Sequence, residues 1–244
     1  MINIFEQPAG VLVKTTLVDY PGLTAGSFFL KGCNLRCPYC YNVGLVRPPY
    51  DEKNMISVNE LFAYLEKRQG LISGLVISGG EPLINPLTPH IIKKAKSLGY
   101  KIKLDTNGTM PQKLKAFVED KDLRPNFIAM DLKTSPARYA YDICKNENNN
   151  FCFEKLLSDS IEIIKAYDKT CCEWRTVLVP TLTEKEDIKN MASFLPKDAC
   201  WQFAQFQNTN CLNKDFNNLL PFSDAQANEL VEYAKSFIPN AHLR

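Results

Sequence analysis

Short apolar runs rich in β-branched and aromatic residues alternate along the chain with segments whose apolar positions recur at helical spacing. Six runs read as strands: residues 27–30, 75–78, 101–105, 127–131, 173–179 and 201–206. Between them lie helices with clear start signals. Ser57 and Glu60 make a capping box ahead of Val58, Leu61, Phe62 and Leu65. Thr88 is placed to cap a second helix, with Pro89 at its first position and Gly99 just past its end. Thr183 with Glu186, and Ser223 with Gln226, repeat the capping pattern. Behind them run the stripes Ile188, Met191, Ala192, Leu195 and Ala227, Leu230, Val231, Ala234.

Strands alternating with helices predict a parallel sheet with right-handed crossovers. Six such units suit 244 residues better than the eight of a closed barrel. The expectation is an α/β single domain, a partial (β/α)6 TIM-type barrel open on one side. Its core would run from about residue 20 to about 210, after a strand-like extension at 1–19 and before a C-terminal helix at 223–238. Polar or proline-rich loops are expected at 47–54 and 145–150, with no internal repeat and no long linker.

Composition adds little until the cysteines are counted. Hydrophobic residues at 45% and charged ones at 23% are ordinary for a globular protein. No stretch approaches the roughly 20 apolar residues of a membrane span. The first residues lack the basic start and apolar run of a signal peptide, so a cytoplasmic protein with no membrane partner is expected. A net charge of +2 makes no case for nucleic acid. Only His90 and His242 are present, neither beside a Cys, Asp or Glu motif, which argues against histidine-based catalysis. Nine cysteines, however, are many for a compartment where disulfides are rare, and point to metal or redox chemistry.

Three of them stand in Gly32-Cys33-Asn34-Leu35-Arg36-Cys37-Pro38-Tyr39-Cys40, directly after the first of the six strands. Thiolates are the soft ligands that iron–sulfur clusters require, and one loop at this spacing can wrap a cluster. Three ligands instead of four leave one iron open to a substrate. A structural zinc site would usually show a second Cys or Cys/His pair, and none is evident. Cys144, Cys152, Cys171, Cys172, Cys200 and Cys211 show no ligand spacing, and most of them read as small buried residues.

The motif Cys-x3-Cys-x2-Cys, with an aromatic before its last Cys, resembles the radical S-adenosylmethionine superfamily. Val18–Gly22 of sequence VDYPG, Tyr41-Asn42, Gly79-Gly80-Glu81-Pro82, Leu104-Asp105-Thr106-Asn107-Gly108, Asp131-Leu132-Lys133 and Trp174-Arg175 follow in order. Together they resemble the glycyl-radical-enzyme activases, most closely the anaerobic ribonucleoside-triphosphate reductase-activating proteins. Tyr41 departs from the His that many activases carry after the third Cys.

The resemblance implies a [4Fe-4S] cluster on Cys33, Cys37 and Cys40, and S-adenosylmethionine as cosubstrate. An electron from flavodoxin or ferredoxin would cleave the sulfonium, and the resulting 5′-deoxyadenosyl radical would abstract hydrogen from a glycine of a partner enzyme. Ser78, Gly79, Gly80 and Glu81 would receive the methionine ammonium, since glycines permit close approach while carbonyls and a carboxylate accept hydrogen bonds. Asp105 and Asn107 suit ribose hydroxyls or polar parts of the methionine group, although an ordinary Asn-Gly turn also explains the second. Tyr39 would lie beside the adenine, and Lys133 near the cofactor. Asp105 and Asp131 are candidate ligands for a monovalent cation. Arg175 stands in an apolar strand and needs a partner, either the methionine carboxylate or a buried acid of the protein. Gln205 and Gln207 are weaker candidates. Two other functions remain open at this point: a radical enzyme acting on a small molecule in a deazaguanine synthase-like reaction, and a non-catalytic electron carrier. The missing fourth Cys speaks against the carrier.

Overall fold

The structure, a computed structural model, describes residues 3–144 and 152–244. The loop expected at 145–150 lies outside the described residues. In chain order the strands are β1 (Pro8–Thr16), β2 (Ala25–Leu30), β3 (Ile56–Ser57), β4 (Gly74–Gly79), β5 (Lys101–Thr106), β6 (Phe127–Asp131), β7 (Cys172–Leu178), β8 (Trp201–Gln205) and β9 (Ala241–Leu243). The helices are α1 (Val43–Val46), α2 (Val58–Arg68), α3 (Thr88–Ser97), α4 (Pro111–Glu119), α5 (Phe153–Lys165), α6 (Lys185–Ala192) and α7 (Asp224–Lys235). All six expected strands are present, and strands and helices alternate as in a partial (β/α)6 TIM-type barrel. Among the described residues no helix is long and apolar enough to cross a membrane.

Two compact units divide the chain. One comprises the residues up to Asn34, Gly44–Thr106 and Gln112–Ile128; the other comprises Leu35–Val43, Asn107–Pro111 and the described part of Ala129–Arg244. In the first unit the strand order is β3-β1-β2-β4-β5. β1 runs antiparallel to β2 and β3, while β2, β4 and β5 are parallel. β2 is buried along nearly its whole length, as a strand covered on both faces must be. Alternation along β5 sends Ile102 and Leu104 one way and Lys103 and Asp105 the other. An apolar cluster of Tyr20, Ala25, Val76 and Phe127 closes one end of this unit. Tyr20 lies so close to Gly74 that a Cβ there would sit 2.8 Å from its Cδ2. The Asp19 carboxylate accepts a 2.7 Å bond from Ser27 Oγ, which pins the preceding turn to β2.

In the second unit the order is β6-β7-β8-β9, with β7, β8 and β9 parallel. Trp201 and Phe203 of β8 are fully buried, their rings 4.5 Å apart. Trp201 Nε1 donates to Thr176 Oγ1 at 3.0 Å, and Thr176 in turn donates to the Leu132 carbonyl at 2.8 Å. That relay ties β8 to the end of β6 through β7.

The capping boxes of α2 and α7 form as the sequence predicts, on Ser57 with Glu60 and on Ser223 with Gln226. Two other starts differ. Thr88 lies inside α3, where its hydroxyl donates to the Pro82 carbonyl at 2.6 Å instead of capping. α6 begins one residue later than Thr183 would place it. Glu184 is the cap, its amide donating to Asp187 at 3.1 Å, while Thr183 bonds to the Val179 carbonyl. In both places a carbonyl a few residues upstream competes successfully for the hydroxyl.

Because both bonds of the Ser57 box are present, Ser57→Ala should lower stability by about 1 kcal/mol in denaturant unfolding. An unchanged midpoint would show that α2 starts without this cap.

Candidate functional site

In the first unit the ends of β2, β4 and β5 carry Cys33, the Ser78–Glu81 element and Asp105. The last residues of β4 meet the chain leaving β2 at very short range. Gly80 N donates to the Leu30 carbonyl and Glu81 N to the Gly32 carbonyl, each at 2.9 Å. A Cβ on Gly80 would fall 1.9 Å from Gly32 O and 3.1 Å from Cys33 Cβ. Gly79 adopts φ +113 and Gly32 φ +95, a region that side chains rarely tolerate. On the other side of the cysteine, Gly32 N and Cys33 N donate to the Leu45 and Val46 carbonyls of α1. Cys33 is therefore held between two backbone segments.

Glu81 is fully buried. Its Oε1 accepts 3.0 Å bonds from Leu83 N and from Thr106 Oγ1, which links the end of β4 to the end of β5. Asp105 is buried too, and its Oδ1 accepts a 2.7 Å bond from Lys103 Nζ.

In the second unit Cys37 is buried and Cys40 partly so, and Cys40 N donates to the Cys37 carbonyl at 3.1 Å. Burial pushes the Cys40 thiol up. Segment 211–213 fastens this loop from outside: Leu212 N donates to the Cys40 carbonyl at 3.1 Å and Asn213 N to the Pro38 carbonyl at 2.8 Å. Arg36 N donates to Ile143 of the π-helical turn Tyr139–Cys144. Tyr41 stacks on Phe206 and accepts a bond from Gln207 N, so the residue that departs from the activase pattern serves as a brace.

A cavity of about 380 Å³ opens beside this loop. Tyr39, Asp131, Lys133, Arg175, Gln202 and Arg244 are among its lining residues. Arg175 Nε donates to Asp131 Oδ1 at 2.8 Å, and Lys133 Nζ to Asp131 Oδ2 at 3.2 Å. Burial alone would raise the Asp131 pKa; Arg175 and Lys133 outweigh it and hold the carboxyl well below the usual carboxylate range. Burial would lower the Lys133 pKa, but Asp131 and Tyr39 keep it well above the ordinary lysine value. Burial holds the Tyr39 and Tyr139 phenols protonated. Tyr139 Oη accepts the Lys133 amide at 2.7 Å and so fixes the backbone from which that lysine reaches the cavity.

Asn107 is buried, and its Oδ1 accepts from Thr109 N and Thr109 Oγ1 in a local turn. Gln205 donates to Asp224. Lys103, Tyr139, Gln202 and Arg244 escaped the sequence reading. Of these only Lys103 left a signal, a lysine on the same strand face as Asp105.

The residues fit the groups that the sequence implies. Thiolates are the donors an iron–sulfur cluster takes, and the Gly79–Gly80 cradle brings bare backbone to Cys33 where a Cβ would block it. The cavity falls within the roughly 300–1,000 Å³ typical of small-molecule sites. Its three aromatics, Tyr39, Tyr41 and Phe203, its excess of cations and its one acid suit a ligand with a carboxylate and a flat base. Among the described residues no three His, Cys, Asp or Glu side chains are gathered as a single metal ion would need.

Comparison with known proteins agrees with this chemistry. The Radical SAM superfamily profile matches residues 27–195. A protein of Methanocaldococcus jannaschii, named as a candidate glycyl-radical enzyme activating enzyme, is 28% identical over 96% of this chain and 94% of its own. The pyruvate formate-lyase-activating enzyme of Staphylococcus epidermidis is 28% identical over 73% of this chain and 71% of its own. The 7-carboxy-7-deazaguanine synthase of Aquifex aeolicus is 27% identical over 68% and 72%. Among solved structures, TYW1 with a lysine-pyruvate adduct shares the fold, with a TM-score of 0.59 and 14% identity over 87% of this chain and 73% of that one.

Because the folded pKa of Asp131 is depressed, the stability it contributes is present above the unfolded carboxylate value and is lost as pH falls toward the folded one. In denaturant unfolding, wild type should exceed Asp131→Asn most near neutrality, and the gap should narrow below about pH 4. A gap independent of pH would remove the ion pair from this account. Among the remaining thiols, Cys172 is buried and pushed up to about 12, whereas Cys152 is exposed. At about pH 8 an alkylating reagent should modify Cys152 well before Cys172 in peptide maps of the folded protein. Equal labelling would contradict that burial.

Proposed function

The chain belongs to the Radical SAM superfamily, and within it we propose an activating enzyme that generates a glycyl radical on a partner protein, with an anaerobic ribonucleoside-triphosphate reductase as that partner. The observation that carries this reading is a three-thiol loop in a chain that aligns almost end to end with a relative named for glycyl-radical enzyme activation. Flavodoxin or ferredoxin would supply the electron.

When bound, the cluster and S-adenosylmethionine supply one-electron cleavage of a carbon–sulfur bond, and hence a radical strong enough to take hydrogen from a glycine Cα. The chain's own part is to hold and to shield. Cys33, Cys37 and Cys40 would hold the cluster through their thiolates. The backbone at Ser78, Gly79, Gly80 and Glu81 receives the ammonium. Lys133 and Arg175 receive the carboxylate, and Asp131 keeps both cations aimed at the cavity. Tyr39 covers the adenine, while Asp105 and Asn107 meet the ribose. A monovalent cation forms no part of the proposal, since Asp105 and Asp131 already have cationic side-chain partners.

After anaerobic reconstitution with iron and sulfide, and with dithionite as reductant, the protein should release 5′-deoxyadenosine, and Cys37→Ala should release none. Undiminished release from that variant would refute the cysteine assignment. Arg175→Ala should weaken S-adenosylmethionine binding by about tenfold with iron content unchanged. Incubation with the candidate reductase should give a glycyl doublet in electron paramagnetic resonance. Release of 5′-deoxyadenosine without that doublet, but with turnover of a small molecule in a deazaguanine synthase-like reaction, would favour the synthase-like alternative.

A further inference from the structure

Lys103 and Asp105 stand two positions apart on one face of β5. Lys103 Nζ donates to Asp105 Oδ1 at 2.7 Å, with the two side chains 1% and 11% exposed. The ammonium also lies 5.8 Å from the centroid of the Phe127 ring, and Phe127 is locked into the cluster with Tyr20, Ala25 and Val76. The ring face and the carboxylate attract the ammonium, but the amine is almost wholly withdrawn from water. Desolvating it is unfavourable, and an apolar side chain of similar volume would pack there without that cost. Stability alone therefore does not account for a lysine at this position.

What the lysine does provide is direction. The carboxyl torsion of an aspartate is soft and broad. A short, charge-assisted bond from a buried donor that cannot itself move confines it. We infer that Lys103 is a positioning residue: it holds the Asp105 carboxylate in the orientation from which Asp105 meets the ribose of S-adenosylmethionine. The inference rests on the cofactor reading proposed above. It gives Lys103 no contact with the cosubstrate.

The test uses iron-loaded full-length protein and measures S-adenosylmethionine affinity by anaerobic equilibrium dialysis. Iron content and the thermal midpoint of the metal-free protein are measured alongside. Asp105→Asn should weaken binding. Lys103→Met and Lys103→Gln should each weaken it by about tenfold while iron content stays at the wild-type level. Lys103→Gln, which keeps a donor at similar reach, should be the milder of the two. At saturating cosubstrate the rate of 5′-deoxyadenosine release should change little in either, so that the loss lies in binding. If Asp105→Asn weakens binding and both Lys103 variants bind like wild type, the inference is overturned and the function stands. If both Lys103 variants fail to load iron, Lys103 is a folding residue and the inference is overturned again. If none of the three variants alters affinity, Asp105 is no contact. Wild-type protein that loads iron but binds no S-adenosylmethionine would overturn the function itself, and this inference with it.

Discussion

Two backbones meet in the first unit with no side chain between them, and the placement of its functional groups follows from that approach. A Cβ at Gly79 would lie 2.3 Å from Leu30 N, and one at Gly80 even nearer to Gly32 O. No rotamer change relieves contacts of that kind, because the atoms struck are main-chain atoms. The approach lets β4 continue hydrogen bonding to the chain beyond β2, and it turns the following residue inward. Glu81 is thereby buried and committed to Leu83 and Thr106. In the proposed function, an ammonium would thus meet the main chain of this element more than the glutamate oxygen that those two bonds occupy.

The second unit is organised by charge instead. Asp131 is a node on which Arg175 and Lys133 converge, and Tyr139 fixes the lysine's backbone from the far side. The ion pairs are partly sheltered, so their geometry is retained better than that of a surface pair, which water and salt would loosen. Two cations held by one acid leave net positive charge on the cavity wall, which is the polarity a carboxylate ligand requires. Both units therefore present prepared groups at strand ends, one through main-chain geometry and the other through paired charge.

Local order carried most of what the sequence revealed. The six strands were legible because each is a short run rich in β-branched, aromatic or other apolar residues set between helical patterns, and the cysteine loop because its spacing is contained within eight residues. The pairing of Arg175 with Asp131 was not legible, because it joins β6 and β7 across a span that no local pattern encodes. Lys103 was hidden for another reason. A lysine in a strand reads as solvent-facing, and only the position of Phe127 shows that it is enclosed. Thr88 and Thr183 had the composition of caps but lay within reach of carbonyls that the sequence does not reveal. β9 has three residues and β3 two, too few for any period to register.

The bonds from Leu212 and Asn213 to the carbonyls of Cys40 and Pro38 have a bearing on how the protein is made. A ribosome releases Cys33, Cys37 and Cys40 well before residues 211–213, the segment that fastens their loop. Closing so wide a separation is entropically slow, and domains generally complete their packing only when such distant pieces are available. During synthesis the thiols therefore await their final enclosure until that distant segment has been made. In the proposed function, a cluster would then be inserted after residues 211–213 have emerged, when they can seal the loop around it.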